Sequence, residues 1–159
     1  MKHTYMIGID IGTSGSKTVI IDELGRVAAE DTGEYGLSIP QTGWCEQNPE
    51  DWWQAVRTSL SKLAALFAPG GRLAQTGEVI GIGLCGQMHG LVMVDGQGRV
   101  LRPCIIWADQ RSSDECDEIT QLAGGEEALL ELTNNRMLTS YTGGKILWDR
   151  KSTRLNSSH

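Results

Sequence analysis

Basic residues are scarce in this sequence, long apolar runs are missing, and the cysteines stand far apart. Across 159 residues, 14 Lys and Arg oppose 20 Asp and Glu, which gives a formal charge of −6. This balance argues against a general basic surface for nucleic acid. The longest apolar stretch, residues 79–84, is interrupted by glycines and falls far short of the roughly 18 residues that suggest a membrane span. We therefore expect neither a nucleic-acid partner nor a membrane partner.

The cysteine spacing and the N-terminus indicate a reducing compartment. The four cysteines form no CxxC pair and no dense disulfide scaffold; they are Cys45, Cys85, Cys104 and Cys116. We interpret them as reduced, half-buried thiols. The N-terminus has neither the apolar run nor the small-residue cleavage site of a signal peptide. A cytoplasmic protein is expected.

Apolar patterns predict a mixed α/β order of elements. Residues 5–10 and 17–22 indicate two strands of a hairpin, and residues 26–35 indicate a third strand. Asn48 and Pro49 are typical of a helix start, and an apolar stripe continues from there to Phe67. The later elements are predicted as strands at 78–84, 90–95, 99–101 and 104–107 and helices at 113–122 and 126–132.

The segment between the first two predicted strands is the first candidate site. Asp10 ends an apolar strand, and small or cationic residues follow it: Gly12, Thr13, Ser14, Gly15, Ser16 and Lys17. Such a turn lets backbone approach a phosphate closely and supplies N–H, hydroxyl and ammonium donors. A Walker A loop and a Rossmann fingerprint are both excluded, because non-glycine residues stand where each requires glycine. A carboxylate beside phosphates makes chemical sense if it holds Mg²⁺, whereas a plain hairpin with a polar loop is the alternative.

The second candidate site is the loop Gln87-Met88-His89, which follows the predicted strand at 78–84. Ligands commonly bind at strand ends in α/β folds. Gln87 and a neutral His89 each offer a donor and an acceptor to sugar hydroxyls, and Met88 can pack against a carbon face of the sugar. The alternative is a satisfied loop histidine beside a core methionine.

Five segments in order resemble one protein family. Residues 5–17 resemble the first phosphate-binding hairpin of the superfamily of sugar kinases, heat-shock chaperones and actin. Four further segments are similar to the FGGY family of carbohydrate kinases: residues 46–53, 83–90, 102–111 and 140–148. The resemblance extends over residues 5–148. It implies an α/β, ribonuclease H-like (actin-like ATPase) domain, with a mixed sheet flanked by helices and incomplete at its C-terminal end.

The resemblance also implies roles for the candidate residues. Asp10 would be the catalytic and metal residue for Mg²⁺, and residues 12–17 would bind the phosphates of ATP. Met88 and His89 would contact the sugar with Gln87 in support. Asp109 and Arg111 lie in the family's Trp-x-Asp-x-Arg segment; they are candidates for sugar or phosphate binding, with a structural ion pair as an equal alternative.

The implied activity is ATP-dependent phosphorylation of a ketopentose, because the Gly-Gln-Met-His-Gly loop is similar to that of family members acting on D-xylulose. The alternatives are another sugar (gluconate, ribulose or a deoxy-ketose) or a non-catalytic ATP- or sugar-binding module. We expect residues 1–148 to be the N-terminal part of the first kinase domain and residues 149–159 to be a foreign or frameshifted tail. We also expect little or no activity from this chain alone, since the family's proton acceptor comes from a later segment, and we allow for a homodimer of the full-length enzyme.

Overall fold

The computed structural model describes residues 3–74 and 77–156. Two compact units are present: the residues up to Gly36 together with Pro49–Gln87, and Leu37–Asn48 together with the residues from Met88 onward. In chain order the elements are β1 His3–Ile11, β2 Gly15–Asp22, β3 Val27–Glu34, β4 Glu46–Gln47, α1 Pro49–Ala64, β5 Gly77–Gly86, β6 Cys104–Ile105, α2 Ser113–Leu122, α3 Glu126–Thr133 and α4 Thr142–Asn156.

The first unit is built on a four-stranded mixed sheet. Its strand order is β3-β2-β1-β5, with β1 antiparallel to β2 and parallel to β5. A parallel neighbour needs a crossover connection, which here contains α1. The predicted hairpin, third strand and mixed sheet are therefore confirmed.

Strand alternation places a core on one face of this sheet. The buried cluster comprises Tyr5 of β1, Ile20 of β2 and Ala29 of β3, with Leu63 of α1 and Leu73 beyond it. These strand residues share a face because successive side chains point to opposite sides. The α1 stripe supplies the opposing layer, so the opposite face of the sheet carries the even-numbered residues of β1.

The second unit consists of a short antiparallel pair, β4 with β6, and three helices. Its buried residues include Cys104, Ile105 and Ile106. At the first turn of α4 a Cβ atom on Gly144 would lie 2.6 Å from Cys116 Sγ, so glycine permits the close approach of α4 and α2. Among the described residues, no helix has the length and hydrophobicity needed to cross a membrane.

Two predicted strands are wrong. Residues 90–95 and 99–101 form isolated bridges instead of strands, one between Leu91 and Ile105 and one between Val94 and Val100. The Asp95 carboxylate accepts the backbone N–H groups of Gln97 and Arg99. These side-chain bonds help to close the turn, and bonds of this kind compete with regular structure.

The predicted start of α1 agrees with the structure, whereas its predicted end does not. α1 begins at Pro49 as predicted but ends at Ala64, before Phe67. The chain there tightens into i→i+3 bonds, from Leu66 N–H to the Leu63 carbonyl and from Phe67 N–H to the Ala64 carbonyl, a common way for a helix to end. α4 extends to Asn156, so residues 149–156 are helical; whether they are foreign stays a prediction.

Candidate functional site

Asp10 and Lys17 stand directly opposite each other in the register of β1 and β2. Both side chains are exposed, and both lie on the sheet face away from α1. Lys17 Nζ also forms a 2.9 Å ion pair with Glu30 of β3. The hairpin therefore presents a carboxylate and an ammonium side by side at the end of β1.

An open groove lies over this face of the sheet. Gly8 of β1 is paired with Gly83 of β5, and neither has a side chain to fill the space. The groove has a volume of about 360 Å³ and is lined by Gly8, Ile9, Asp10, Lys17, Val19, Gly83, Leu84 and Cys85. Paired glycines thus leave room for a ligand beside the two charged groups.

The backbone of the loop is held from three directions. The Gly12 N–H donates to the Gly15 carbonyl at 2.9 Å. The Gly12 carbonyl accepts the Tyr35 hydroxyl at 2.6 Å and Gln87 Nε2 at 3.2 Å. Burial, followed by the negative charge of Asp10, raises the pKa of Tyr35. The phenol therefore remains a hydrogen-bond donor well into the alkaline range.

Strand alternation separates the predicted phosphate residues into two groups. The Ser16 side chain is fully buried, like that of Thr18, and faces away from Lys17. The two hydroxyl oxygens have no hydrogen-bond partner. Thr13 and Ser14 lie at the turn, with Ser14 exposed. The loop can therefore meet a ligand with its turn residues and Lys17, whereas the Ser16 hydroxyl lies on the opposite face.

Gln87 is placed differently from Met88 and His89. Its backbone N–H donates to the Ile11 carbonyl at 3.0 Å and its side chain to Gly12, so it supports the first loop. Met88 and His89 belong to the second unit. Sequence reasoning assigned all three to the sugar loop, because adjacency along the chain hides the boundary between the units.

His89 is exposed and conformationally unusual. Its φ is 66°, in the left-handed region that non-glycine residues seldom adopt. Its ring contacts the Tyr141 ring edge-on at a centroid distance of 4.8 Å, and Met88 beside it is 72% exposed. Met88 and His89 are thus exposed beside the half-buried ring of Tyr141.

Asp109 and Arg111 are buried inside a closed network of protein groups. Asp109 accepts the Cys45 N–H at 2.6 Å and the Arg111 guanidinium at 2.8 Å. Arg111 also pairs with Glu46 at 2.8 Å and lies over the Trp44 ring at 3.7 Å. This geometry favours the structural ion pair, the alternative that sequence reasoning left open.

The single carboxylate of Asp10 fits Mg²⁺, which needs few protein ligands. Within the described ranges, no three His, Cys, Asp or Glu side chains cluster to hold a metal. Mg²⁺ typically keeps several waters and is held by one or two carboxylates together with substrate phosphates. A single exposed carboxylate beside an open groove meets that requirement.

Sequence reasoning missed two contributors to these loops. Tyr35 is the last residue of the predicted third strand and has no motif to distinguish it. Lys145 begins the apolar segment 145–148, yet it is fully buried. A lysine directly before three large apolar residues was the signal that could have revealed it.

Comparison with known proteins defines the class. The model of the FGGY family of carbohydrate kinases, N-terminal domain, matches residues 5–155, and the chain belongs to this family. Its fold is the ribonuclease H-like, actin-like ATPase fold, as predicted. A Plasmodium falciparum glycerol kinase solved with ADP shares this fold, with a TM-score of 0.81 over 92% of this chain and 28% of that one, at 19% identity.

Several relatives of the chain are xylulose kinases. The chain is 40% identical to the xylulose kinase of Bacillus subtilis over 144 residues, which cover 91% of this chain and 28% of that protein. The crystal structure of xylulose kinase from Rhodospirillum rubrum matches with a TM-score of 0.82 at 30% identity, covering 92% of this chain and 29% of that one. The chain thus spans a little over a quarter of the length of these relatives.

Proposed function

We propose that the protein containing this chain transfers a phosphoryl group from ATP to a ketopentose, D-xylulose in the first instance. The observation that carries the proposal is the exposed pair of Asp10 and Lys17 beside the glycine-lined groove. The similarity to xylulose kinases supports the choice of sugar. We also propose that Met88 and His89 meet the sugar.

Asp10 and the turn that follows it would serve the nucleotide. Asp10 would hold Mg²⁺, which neutralises charge on phosphates when bound. The exposed Ser14 and the ammonium of Lys17 would donate to phosphate oxygens, since the close backbone turn leaves them accessible. The hydrogen bonds from Tyr35 and Gln87 to Gly12 keep this turn in one conformation, so its donors are oriented before a ligand arrives.

The sugar would be oriented by the exposed side chains of Met88 and His89 and by the half-buried ring of Tyr141. A neutral imidazole donates from one nitrogen and accepts at the other, which suits adjacent hydroxyls. The Tyr141 ring limits the orientations of the imidazole. Asp109 and Arg111 take no direct part in this proposal, because protein groups already occupy their donors and acceptors.

The test is a coupled ADP-release assay on the whole protein with MgATP and a panel of D-xylulose, D-ribulose and gluconate. We expect D-xylulose to give the highest kcat/KM. Asp10→Asn should lower kcat by about 10²- to 10³-fold while leaving the sugar affinity unchanged. We expect the chain alone to show little or no turnover. Absence of sugar-dependent ADP release from the whole protein, or full activity of the Asp10→Asn variant, would refute the proposal.

A further inference from the structure

Lys145 is the largest fully buried side chain among the described residues. A buried ammonium is costly unless its donors are bonded. Its Nζ donates to the carbonyl oxygen of His89 at 2.7 Å and to that of Ser140 at 2.8 Å. Both acceptors are backbone atoms, so the contact does not depend on which side chains those residues carry.

The two carbonyls belong to the two segments that carry the candidate sugar-binding surface. His89 follows Met88, and Ser140 precedes Tyr141, whose ring contacts the His89 ring at 4.8 Å. The segments are far apart in sequence and meet around one ammonium. Lys145 therefore joins the backbones of the two segments that carry this surface.

The backbone of His89 needs such an anchor. Of the described non-glycine residues, only His89 and Asn134 have a positive φ, and strained conformations persist where the surroundings impose them. Asn134 has an ordinary reason, because it ends α3 in the left-handed conformation. At His89 the bond from Lys145 fixes the carbonyl of the strained residue itself.

The surroundings of Lys145 are arranged to keep it in place. Gly144 lets α4 approach Cys116 of α2 closely, which brings the next residue into the interior. Burial lowers the pKa of Lys145, while the carboxylate of Asp109 acts in the opposite direction. Burial also raises the pKa of the neighbouring Cys104 thiol to about 11, so that thiol stays neutral beside the ammonium.

We infer that Lys145 is a positioning residue for sugar binding, which holds His89 and the Ser140-Tyr141 segment in the arrangement that meets the sugar. The inference rests on the proposed function only for the identity of the ligand. The hydrogen bonds to two backbone carbonyls carry it. Lys145 itself touches no substrate; it acts through His89.

The experiment compares Lys145→Met with Lys151→Met in the whole protein. Lys151 is on the same helix but partly exposed, and it pairs with Glu115 and Glu118. Lys145→Met should raise the KM and Kd for D-xylulose by about tenfold or more, the effect of losing a hydrogen bond from a charged group, with the KM for ATP unchanged. Lys151→Met should change none of these values. Thermal unfolding identifies variants that fold.

A double-mutant cycle separates positioning from general destabilisation. Because Lys145 acts through His89 and the segment of Tyr141 that contacts it, Lys145→Met should add less than its full loss of sugar affinity to that of His89→Ala. A folded Lys145→Met protein with wild-type sugar affinity would overturn the inference. So would a loss that adds in full to that of His89→Ala.

Two further readouts keep the inference testable in every case. If Lys145→Met does not fold, the wild-type protein can be examined by NMR instead. The protons of the Lys145 ammonium should exchange slowly with solvent, and its ¹⁵N signal should shift when D-xylulose is added. Fast proton exchange or an unmoved signal would contradict the inference. If the wild-type protein binds no ketose, the proposed function fails instead. The His89 imidazole NMR signal then reports on Lys145 directly, since its ring-current shift from Tyr141 should disappear in Lys145→Met.

Discussion

The phenol of Tyr35 donates a 2.6 Å hydrogen bond to the carbonyl of Gly12, 23 residues earlier in the chain. Gly12 lies at the turn of the β1–β2 hairpin, and Tyr35 follows β3 across the sheet. A side chain with no motif of its own therefore helps to determine the shape of the candidate phosphate loop.

Tyr35→Phe removes this bond and keeps the ring. We expect the KM for ATP to rise severalfold and the free energy of unfolding to fall by about 1 kcal/mol, with the KM for the sugar unchanged. Steady-state kinetics on the whole protein and urea unfolding measure both effects. An unchanged KM for ATP would show that the loop keeps its shape without the phenol.

The raised pKa of Tyr35 also predicts a pH dependence of stability. The folded pKa lies above the ordinary value of 10.0, because burial and Asp10 disfavour the phenolate. The protonated phenol of Tyr35 therefore contributes fully to the stability of the fold below its ordinary pKa of 10.0. This contribution is lost as the pH rises through the folded pKa. Urea unfolding between pH 8 and pH 11 should show a steeper loss in the wild-type protein than in Tyr35→Phe; equal slopes would contradict the assignment.

Gly33→Ala should separate α1 from β3. A Cβ atom on Gly33 would lie 2.8 Å from the Ala55 Cβ and 3.2 Å from its Cα, so the helix backbone must move. We expect a loss of about 1–3 kcal/mol in unfolding free energy, typical of overpacking. Gly36→Ala is the matched control, because nothing lies within 4 Å of its added Cβ. Chemical denaturation of both variants measures their free energies of unfolding. Equal free energies of unfolding for Gly33→Ala and Gly36→Ala would contradict the prediction.

Asp31 anchors α1 through Ser59 and Lys62. Asp31 Oδ2 accepts the Ser59 hydroxyl at 2.7 Å, and this bond, followed by the one from Lys62, lowers the pKa of Asp31. Because the pKa of Asp31 is lower in the folded protein, ionised Asp31 stabilises the fold at pH values above its ordinary pKa of 3.8. This stabilisation is lost as the pH falls through the folded pKa.

Ser59→Ala should therefore destabilise the protein by about 1 kcal/mol at pH 7, with a smaller difference at pH 3. Ser14→Ala is the control for folding stability, because the Ser14 side chain is exposed at the hairpin turn. Denaturation of the variants at the two pH values measures the difference. A Ser59→Ala penalty that does not shrink at low pH would argue against the role of Asp31.

Arg111→Lys should destabilise the second unit by about 2 kcal/mol, because lysine keeps the positive charge but cannot reproduce the forked hydrogen bonds to the buried Asp109. The guanidinium stacking on Trp44 would also be lost. Arg99→Lys is the control: its pair with Asp95 is largely exposed on the arginine side and should matter little. Tryptophan fluorescence during denaturation distinguishes the two, and similar midpoints would refute the prediction.

The β1–β2 hairpin shows how far local sequence reaches. Alternating apolar residues and a small-residue turn specify both strands, so the positions of Asp10 and Lys17 follow from sequence. The Ser16 hydroxyl was assigned to the same loop, but the two-residue period of β2 turns it to the opposite face. Motif reasoning considered residue type and neglected this alternation.

The hydrogen-bond partners of Gln87 and Asp109 could not be predicted from the sequence. Gln87 was grouped with Met88 and His89, yet its side chain donates to Gly12. Asp109 and Arg111 were candidates for ligand binding, and the network around them includes Trp44 and Glu46 from a distant segment. Pairings between distant segments depend on tertiary packing, which no spacing rule encodes.

The sequence by itself determined the family, the hairpin with Asp10 at its end and the start of α1, because those depend on local periodicity, capping and contiguous motifs. Only the tertiary structure decided that Tyr35 supports the Gly12 turn and that Lys145 lies buried between the carbonyls of His89 and Ser140. The physical reason is that a buried polar group must find its partners wherever the fold places them. Those partners lie 23, 56 and 5 residues away along the chain.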